Sequence, residues 1–221
     1  MMNVKDGKLV VESKGIYSIE NFLVARRLMY WQVYLHKTSV AYENMLVSAL
    51  LRAKELASKG VELFASPALK FFLYNDINRE RFKSDPKCLE NFILLDDNDI
   101  WTALKVWCNH NDIILATLSQ GMVNREIFKV EVSPTPCTEE RLNAISERIA
   151  KQLHINKEDT RYFISTPSIE KNMYNPADDS IDILYNDGST TNIAEASDML
   201  HLSVLSKKVK KYYICYLREK K

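Results

Sequence analysis

The first part of the chain is best interpreted from one stretch, Arg26-Arg27-Leu28-Met29-Tyr30-Trp31-Gln32-Val33-Tyr34-Leu35-His36-Lys37-Thr38. Apolar residues recur through it at a spacing of three to four, which predicts an amphipathic helix. Ser18 is the expected N-cap of that helix. The same periodicity resumes after residues 38–39, where a kink is expected, and continues to Gly60, which ends the pattern as a C-terminal stop.

The same stretch places long polar side chains beside its aromatic residues. In one continuous helix, Arg26 and Tyr34 lie on one side, about 12 Å apart along the axis. That separation can bracket a nucleotide, with the guanidinium on a phosphate and the phenol on the sugar. His36 lies about 200° round the helix from Tyr34 and faces a different surface. A core helix whose Arg and Lys side chains extend into solvent explains the same composition without any ligand.

The order Arg26, Tyr34, His36, Lys37 resembles the R…Y-x-H-K helix of the HD-domain deoxynucleoside triphosphate (dNTP) triphosphohydrolases. The resemblance implies that Arg26 and Tyr34 contact the substrate dNTP. It also implies that His36 and Lys37 belong to a neighbouring regulatory nucleotide site at a subunit interface. The family's reaction converts a dNTP and water into a deoxynucleoside and triphosphate.

A second segment, Arg125-Glu126-Ile127-Phe128-Lys129, is similar to the family's R-x-L-F-K segment, with Ile127 in place of Leu. The resemblance implies that Arg125 and Lys129 bind the phosphates or the base of a regulatory nucleotide. The alternative is an arginine at a domain junction whose guanidinium is satisfied by carbonyl groups at the end of a helix.

The metal ligands of that family have no counterpart in this sequence. They consist of one His, an adjacent His-Asp pair and a further Asp, which hold the metal that polarises the phosphate and activates water. None of the four histidines here is followed by Asp, and no glycine-rich phosphate loop is present. The acids of Leu94-Leu95-Asp96-Asp97-Asn98-Asp99 fit helix capping better than a Mg²⁺ or Ca²⁺ site. We therefore expect no catalytic or metal-binding residue in this chain, and a divalent metal in an HD half that this chain lacks.

Composition narrows the class of protein. The chain has 221 residues, of which 46% are hydrophobic, and a net charge of +1, so no global basic field favours nucleic acid. Four scattered cysteines indicate free thiols in a reducing compartment, and no segment predicts a signal peptide or a membrane span. A cytoplasmic protein is expected. Its expected partners are dNTPs, the missing N-terminal HD half and further copies in a homo-oligomer.

The predicted fold class is α+β, with a domain boundary after residue 127. Residues 1–127 are expected to be helical after an N-terminal hairpin turned by Asp6-Gly7. Residues 128–221 are expected to form a small ferredoxin-like antiparallel domain. Its strands are predicted at residues 128–132, 162–165, 181–185 and 212–217, and its helices at 138–150 and 197–206. A non-enzymatic module that binds nucleotides or mediates oligomerisation is the alternative to part of a hydrolase.

Overall fold

The structure is a computed structural model that describes residues 1–171, 180–197 and 209–219. It confirms the α+β class. The predicted helix at residues 197–206 lies almost wholly outside the described residues. Among the described helices, none combines the length and the apolar character of a membrane-spanning segment.

The chain divides by its contacts into two compact units. The first contains residues 1–36, 133–135 and 168–212, and the second contains residues 37–132, 136–167 and 213–221. Each unit combines segments that are far apart in the sequence. This division differs from the single boundary predicted after residue 127.

The first unit is built on a sheet whose strands are, in order, β1 (Met2–Lys5), β2 (Lys8–Glu12), β6 (Asp182–Leu184) and β7 (Thr190–Asn192). Asp6 and Gly7 have φ angles of 51° and 73°, which confirms the predicted tight turn between β1 and β2. The other elements of this unit are α1 (Ile16–Met29), a π-helical turn (Tyr30–Tyr34), β5 (Ser168–Lys171) and α9 (Ile193–Ala196).

The second unit is mainly helical. Its elements are α2 (Lys37–Ser58), α3 (Pro67–Tyr74), α4 (Arg79–Ser84), α5 (Pro86–Leu94), α6 (Asp97–Trp107), α7 (Ile113–Val123), β3 (Lys129–Ser133), α8 (Glu139–Leu153), a 3₁₀ turn (Lys157–Tyr162) and β4 (Ile164–Ser165). β8 (Val209–Tyr216) begins in the first unit and ends in the second. The predicted strands at residues 128–132 and 212–217 are thus confirmed.

The predicted ferredoxin-like sheet is wrong because its third strand pairs elsewhere. β6 runs parallel to β2, with Val11 opposite Ile183, and antiparallel to β7. Ile183 is fully buried in a cluster with Val11, Leu23 and Ile193. Burial against this apolar surface of the first unit selects the partner of β6, and local periodicity carries no information about it.

Two smaller predictions are also corrected. Residues 157–162 form the 3₁₀ turn, so the strand predicted at 162–165 is reduced to Ile164 and Ser165. The helix predicted to start after Ser18 starts at Ile16, after Gly15. An added Cβ at Gly15 would lie 2.6 Å from the Val11 side chain, so the close approach of helix and strand favours glycine there.

The core of the second unit contains a buried ion pair. Arg52 on α2 is 9% exposed and binds the carboxylate of Asp112 through Nε at 3.1 Å and a terminal nitrogen at 2.6 Å. Asp112 is also the N-cap of α7, where it accepts from the Leu115 amide at 2.8 Å. Burial opposes ionisation of Asp112, yet the hydrogen bonds from Arg52 and Leu115 hold its pKa below the ordinary value.

A second carboxylate lies beside this pair. Glu55 on α2 contacts Arg52 at 3.4 Å and Lys59 at 2.5 Å, and it accepts hydrogen bonds from Tyr162 and Arg161. The hydrogen bonds from Lys59 and Tyr162 lower its pKa from 4.5 to about 2. The Arg52 guanidinium also lies over the Tyr162 ring, 5.4 Å from its centroid. The 3₁₀ turn is thereby tied to α2.

Arg52→Met should destabilise the protein by about 3–5 kcal/mol, because it leaves the Asp112 carboxylate partly buried without its cation. Urea unfolding followed by circular dichroism measures the change. Arg79→Met, which removes an exposed arginine of α4, is the matched control and should cost less than about 0.5 kcal/mol. Equal effects of the two substitutions would contradict a structural role for the buried pair.

The lowered pKa of Glu55 predicts a loss of stability in acid. A carboxyl whose pKa is lower in the folded chain contributes stability above its unfolded pKa and loses it as pH falls through the folded value. For Glu55 this window extends from about pH 4.5 to about pH 2. Glu55→Gln should flatten the dependence of the unfolding free energy on pH in this window. Part of the pH dependence should remain in this variant, because the pKa of Glu131 is also lowered to about 2. Denaturant unfolding at several pH values tests this, and an unchanged slope in Glu55→Gln would refute it.

Candidate functional site

Arg26 and Tyr34 line the same groove in the first unit. The described side chains along it belong to α1 and the π-helical turn: Phe22, Ala25, Arg26, Met29, Tyr30 and Tyr34. Its volume is about 660 Å³. The Arg26 guanidinium lies 5.9 Å from the centroid of the Tyr30 ring, and the Tyr30 and Tyr34 rings are 5.5 Å apart. One cation and two aromatic rings therefore follow one another along the groove.

The π-helical turn corrects the expectation of one continuous α-helix. The Leu35 amide donates to the carbonyl of Tyr30 at 2.8 Å, five residues back instead of four. The wider turn reduces the rotation about the helix axis from one residue to the next. Tyr34 therefore lies nearer the Arg26 side than the rotation of about 100° per residue of an α-helix predicts. Turns of this kind occur often at functional sites. The sequence gives no signal for it, because the apolar spacing of residues 26–34 also fits an α-helix.

His36 and Lys37 follow at the end of this turn. His36 is exposed and lies in the bend before α2, whose first residue is Lys37. The break thus falls at residues 35–36 and not at the predicted 38–39. The 200° separation of Tyr34 and His36 assumed an unbroken helix and does not apply. His36 belongs to the first unit, whereas Lys37, Arg125 and Lys129 belong to the second, so their common regulatory site stays a prediction.

Arg125 borders a cavity of about 690 Å³ in the second unit. It follows the end of α7 with a left-handed φ of 60°. Among the described residues, no carboxylate pairs with its guanidinium. Gln120, Glu126, Gln152 and Arg218 supply further polar groups, and Met45 and Leu217 are among the apolar residues of the wall. The cavity offers both charge and apolar surface.

Lys129 borders a smaller cavity of about 250 Å³, together with Arg148, Tyr216, Arg218 and Glu219. Its ammonium is 5.7 Å from the centroid of the Tyr216 ring and 3.1 Å from Glu131. Contacts with Tyr216 and Glu131 raise the pKa of Lys129. Arg218 and Glu219 also border the cavity of Arg125, so the two cavities are neighbours.

Sequence reasoning missed Arg148, Tyr216 and Arg218. Arg148 lies in the middle of α8, Tyr216 ends β8 and Arg218 follows β8. No local pattern connects these segments. The predicted helix and strand contained Arg148 and Tyr216 but not Arg218, and the meeting of the three residues depends on the packing of the second unit.

The acids at residues 96–99 form a helix cap, as expected. Asp96 accepts from the amides of Asn98 and Asp99, and the Asp99 carboxylate accepts from the Asp96 amide. This is a capping box at the start of α6. Within the described ranges, no three His, Cys, Asp or Glu side chains come together as a metal-binding group. The described residues therefore do not fit the metal centre that the HD domain implies.

The chain is similar to several known proteins. Residues 1–65, which include the hairpin, α1, the π-helical turn and much of α2, match the family described as the HD associated region. The crystal structure of a phosphohydrolase from Bacteroides thetaiotaomicron is 72% identical and has a TM-score of 0.93 over 99% of this chain. This chain is therefore similar to an HD associated region over residues 1–65 and to a phosphohydrolase over nearly its whole length.

Two more distant proteins are similar over part or all of the chain. The uncharacterized protein YwfO of Bacillus subtilis is 27% identical over 135 residues, which are 61% of this chain. A hypothetical protein from Aquifex aeolicus, 20% identical with a TM-score of 0.57, shares the fold over 98% of this chain. This chain spans 54% of the Bacteroides protein, 46% of the Aquifex protein and 29% of YwfO.

Proposed function

We propose that this chain is the C-terminal part of an HD-superfamily phosphohydrolase that hydrolyses a dNTP to a deoxynucleoside and triphosphate. Arg26 and Tyr34 contact the substrate in this proposal. His36, Lys37, Arg125 and Lys129 act in regulatory nucleotide binding. The proposed metal centre lies in the HD half, outside this chain.

The observation that carries the proposal is the groove that Arg26, Tyr30 and Tyr34 share. An Arg guanidinium binds phosphate oxygens through two parallel hydrogen bonds, and an exposed Tyr ring stacks on a base or packs on a sugar. The Tyr30 ring beside Arg26 limits the orientations of the guanidinium, which reduces the entropy lost on binding. Tyr34 is 54% exposed, so its ring and hydroxyl are accessible from the groove.

The proposed reaction breaks the bond between the 5′ oxygen of the sugar and the α-phosphorus. Water supplies the new oxygen of the triphosphate, and its proton is taken up by the deoxynucleoside. Negative charge on the phosphate chain grows as this bond breaks, and a positioned cation stabilises it. Arg26 supplies that cation from this chain, and Tyr34 orients the sugar.

A chimera tests the enzymatic proposal. This chain replaces the matching segment of the Bacteroides phosphohydrolase, to which it is 72% identical. The chimera should release triphosphate from dNTPs in the presence of Mg²⁺ or Mn²⁺, and Arg26→Gln should lower kcat/KM by at least about tenfold, the usual effect of losing one charge-assisted hydrogen bond. Arg79→Gln, at an exposed site of α4, is the matched control.

The 221-residue chain alone should release no triphosphate. Release from the chain alone, abolished by a chelator, would contradict the proposal that the metal centre lies elsewhere. A chimera that hydrolyses simple phosphate esters but not dNTPs would refute the dNTP substrate. Binding of dNTPs without hydrolysis of any phosphate ester by the chimera would favour the non-enzymatic nucleotide-binding module.

Tyr34 and His36 should differ in their effect on regulation. In the chimera, Tyr34→Ala should lower the rate even at saturating activator, because it removes a substrate contact. His36→Ala should raise the activator concentration needed for half-maximal rate, because activator coupling is separable from substrate contact. Steady-state kinetics across an activator titration measures both effects. The same activator dependence in the two variants would refute the separate roles.

A further inference from the structure

We propose that Lys129, Arg148 and Arg218 form, around the Tyr216 ring, a binding site for the phosphate groups of a polyphosphate, and that Glu219 occupies this site when no ligand is bound. This inference rests on the proposed role of Lys129 in regulatory nucleotide binding. It adds Arg148, Arg218 and Glu219.

Tyr216 organises the cations of this site. The Arg148 guanidinium lies 5.7 Å from the centroid of its ring, as does the Lys129 ammonium. The ring itself is fixed, because Tyr216 is 8% exposed and its hydroxyl donates to Glu131 at 2.6 Å. Two cations on one buried ring repel each other, and an anion between them relieves that repulsion.

Both arginines are held by neutral groups. Arg148 donates to the Gln152 side chain at 3.1 Å and to the Leu217 carbonyl at 2.7 Å. Arg218 donates through Nε to the Ile127 carbonyl at 2.9 Å. These contacts fix the guanidinium groups without neutralising their charge. In the described part of the chain, no carboxylate pairs with Arg218.

Two carboxylates lie near the cations, and they differ in how firmly they are held. Glu131 binds Tyr216, Lys129 and Arg141, with the Arg141 contact at 2.5 Å. Glu219 lies 3.6 Å from Nε of Arg148, and its side chain is 77% exposed. An exposed pair at that distance contributes little stability. Glu219 is therefore the carboxylate that a phosphate group can replace.

The site favours phosphate chains over other anions. A phosphate group offers several oxygens to several donors, whereas a carboxylate offers two. The cluster is local in a chain of net charge +1, so the extended positive surface that nucleic acid needs is not implied. The ligand is either inorganic triphosphate or a nucleoside triphosphate whose nucleoside enters the adjoining cavity of about 690 Å³ beside Arg125.

Isothermal titration with sodium triphosphate tests the site. All variants also carry Arg26→Gln, so that the proposed substrate groove does not contribute to the measured triphosphate binding. A failure of the proposed function is thereby distinguished from a failure of this site. Lys129→Gln and Arg218→Gln should each weaken binding by about tenfold, because each removes a charge-assisted contact from an exposed position. Lys105→Gln, at an exposed site of α6, is the matched control. Circular dichroism and thermal unfolding of each variant exclude misfolding.

Removing the charge of Glu219 should have the opposite effect on triphosphate binding. Glu219→Gln should strengthen triphosphate binding by about two- to fivefold, because it removes a competing carboxylate of an exposed pair. Glu90→Gln, an exposed acid of α5, controls for the general loss of one negative charge. Equal effects of Glu219→Gln and Glu90→Gln would overturn the competing role of Glu219.

Titration with dATP and dGTP distinguishes the two ligands. Tighter binding of a nucleotide than of triphosphate, with the difference lost in Arg125→Gln, identifies a nucleoside triphosphate. Equal binding identifies the polyphosphate alone. Both results support the site. Triphosphate binding that is absent, or that Lys129→Gln and Arg218→Gln leave unchanged, overturns it, whatever the chimera shows about hydrolysis.

Discussion

The second unit depends on the buried pair of Arg52 and Asp112. One carboxylate caps α7 and accepts two hydrogen bonds from the middle of α2, so it ties together the two helices between which much of the core is packed. The same guanidinium lies over Tyr162, which reaches Glu55 on α2. A charged pair in this place fixes relative rotation and register as well as contact. Apolar packing alone is non-directional and would fix them less sharply.

In the first unit the corresponding constraint is the π-helical turn. A regular helix already places Arg26, Tyr30 and Tyr34 on one side, within about 80° around the axis, and the wider turn narrows that spread along the groove. The turn carries no buried residue of its own, and Tyr34 is about half exposed. Trp31 of this turn is partly buried and packs against the apolar cluster around Ile183. The turn thus has one side chain against the core and two, those of Tyr30 and Tyr34, along the groove of the proposed substrate site.

Much of the fold follows from local sequence signals. Asp6-Gly7 predicted the turn of the hairpin, and the acids of residues 96–99 predicted a helix cap, because each of these depends on a few neighbouring residues. The partner of β6 could not be predicted in this way. Its alternation shows that one face is buried, but the surface that covers Ile183 includes β2, about 170 residues earlier in the chain. The π-helical turn was not predicted for a different reason, since its apolar spacing fits an α-helix equally well.

The candidate sites were predictable only in part, and the arginines show why. Arg26 and Arg125 lie in segments that resemble known motifs, whereas Arg52, Arg148 and Arg218 lie in none. The function of an arginine depends on its partners in the fold. Arg52 has the carboxylate of Asp112 at 2.6 Å, so its charge is paired within the fold. Arg218 is held by a carbonyl at 2.9 Å and lies at the surface, so its charge stays available to an anion. Both residues have the same side chain and the same charge in the sequence. Only the partners that each one contacts in the fold distinguish an arginine paired with a carboxylate from one held by a carbonyl at the surface.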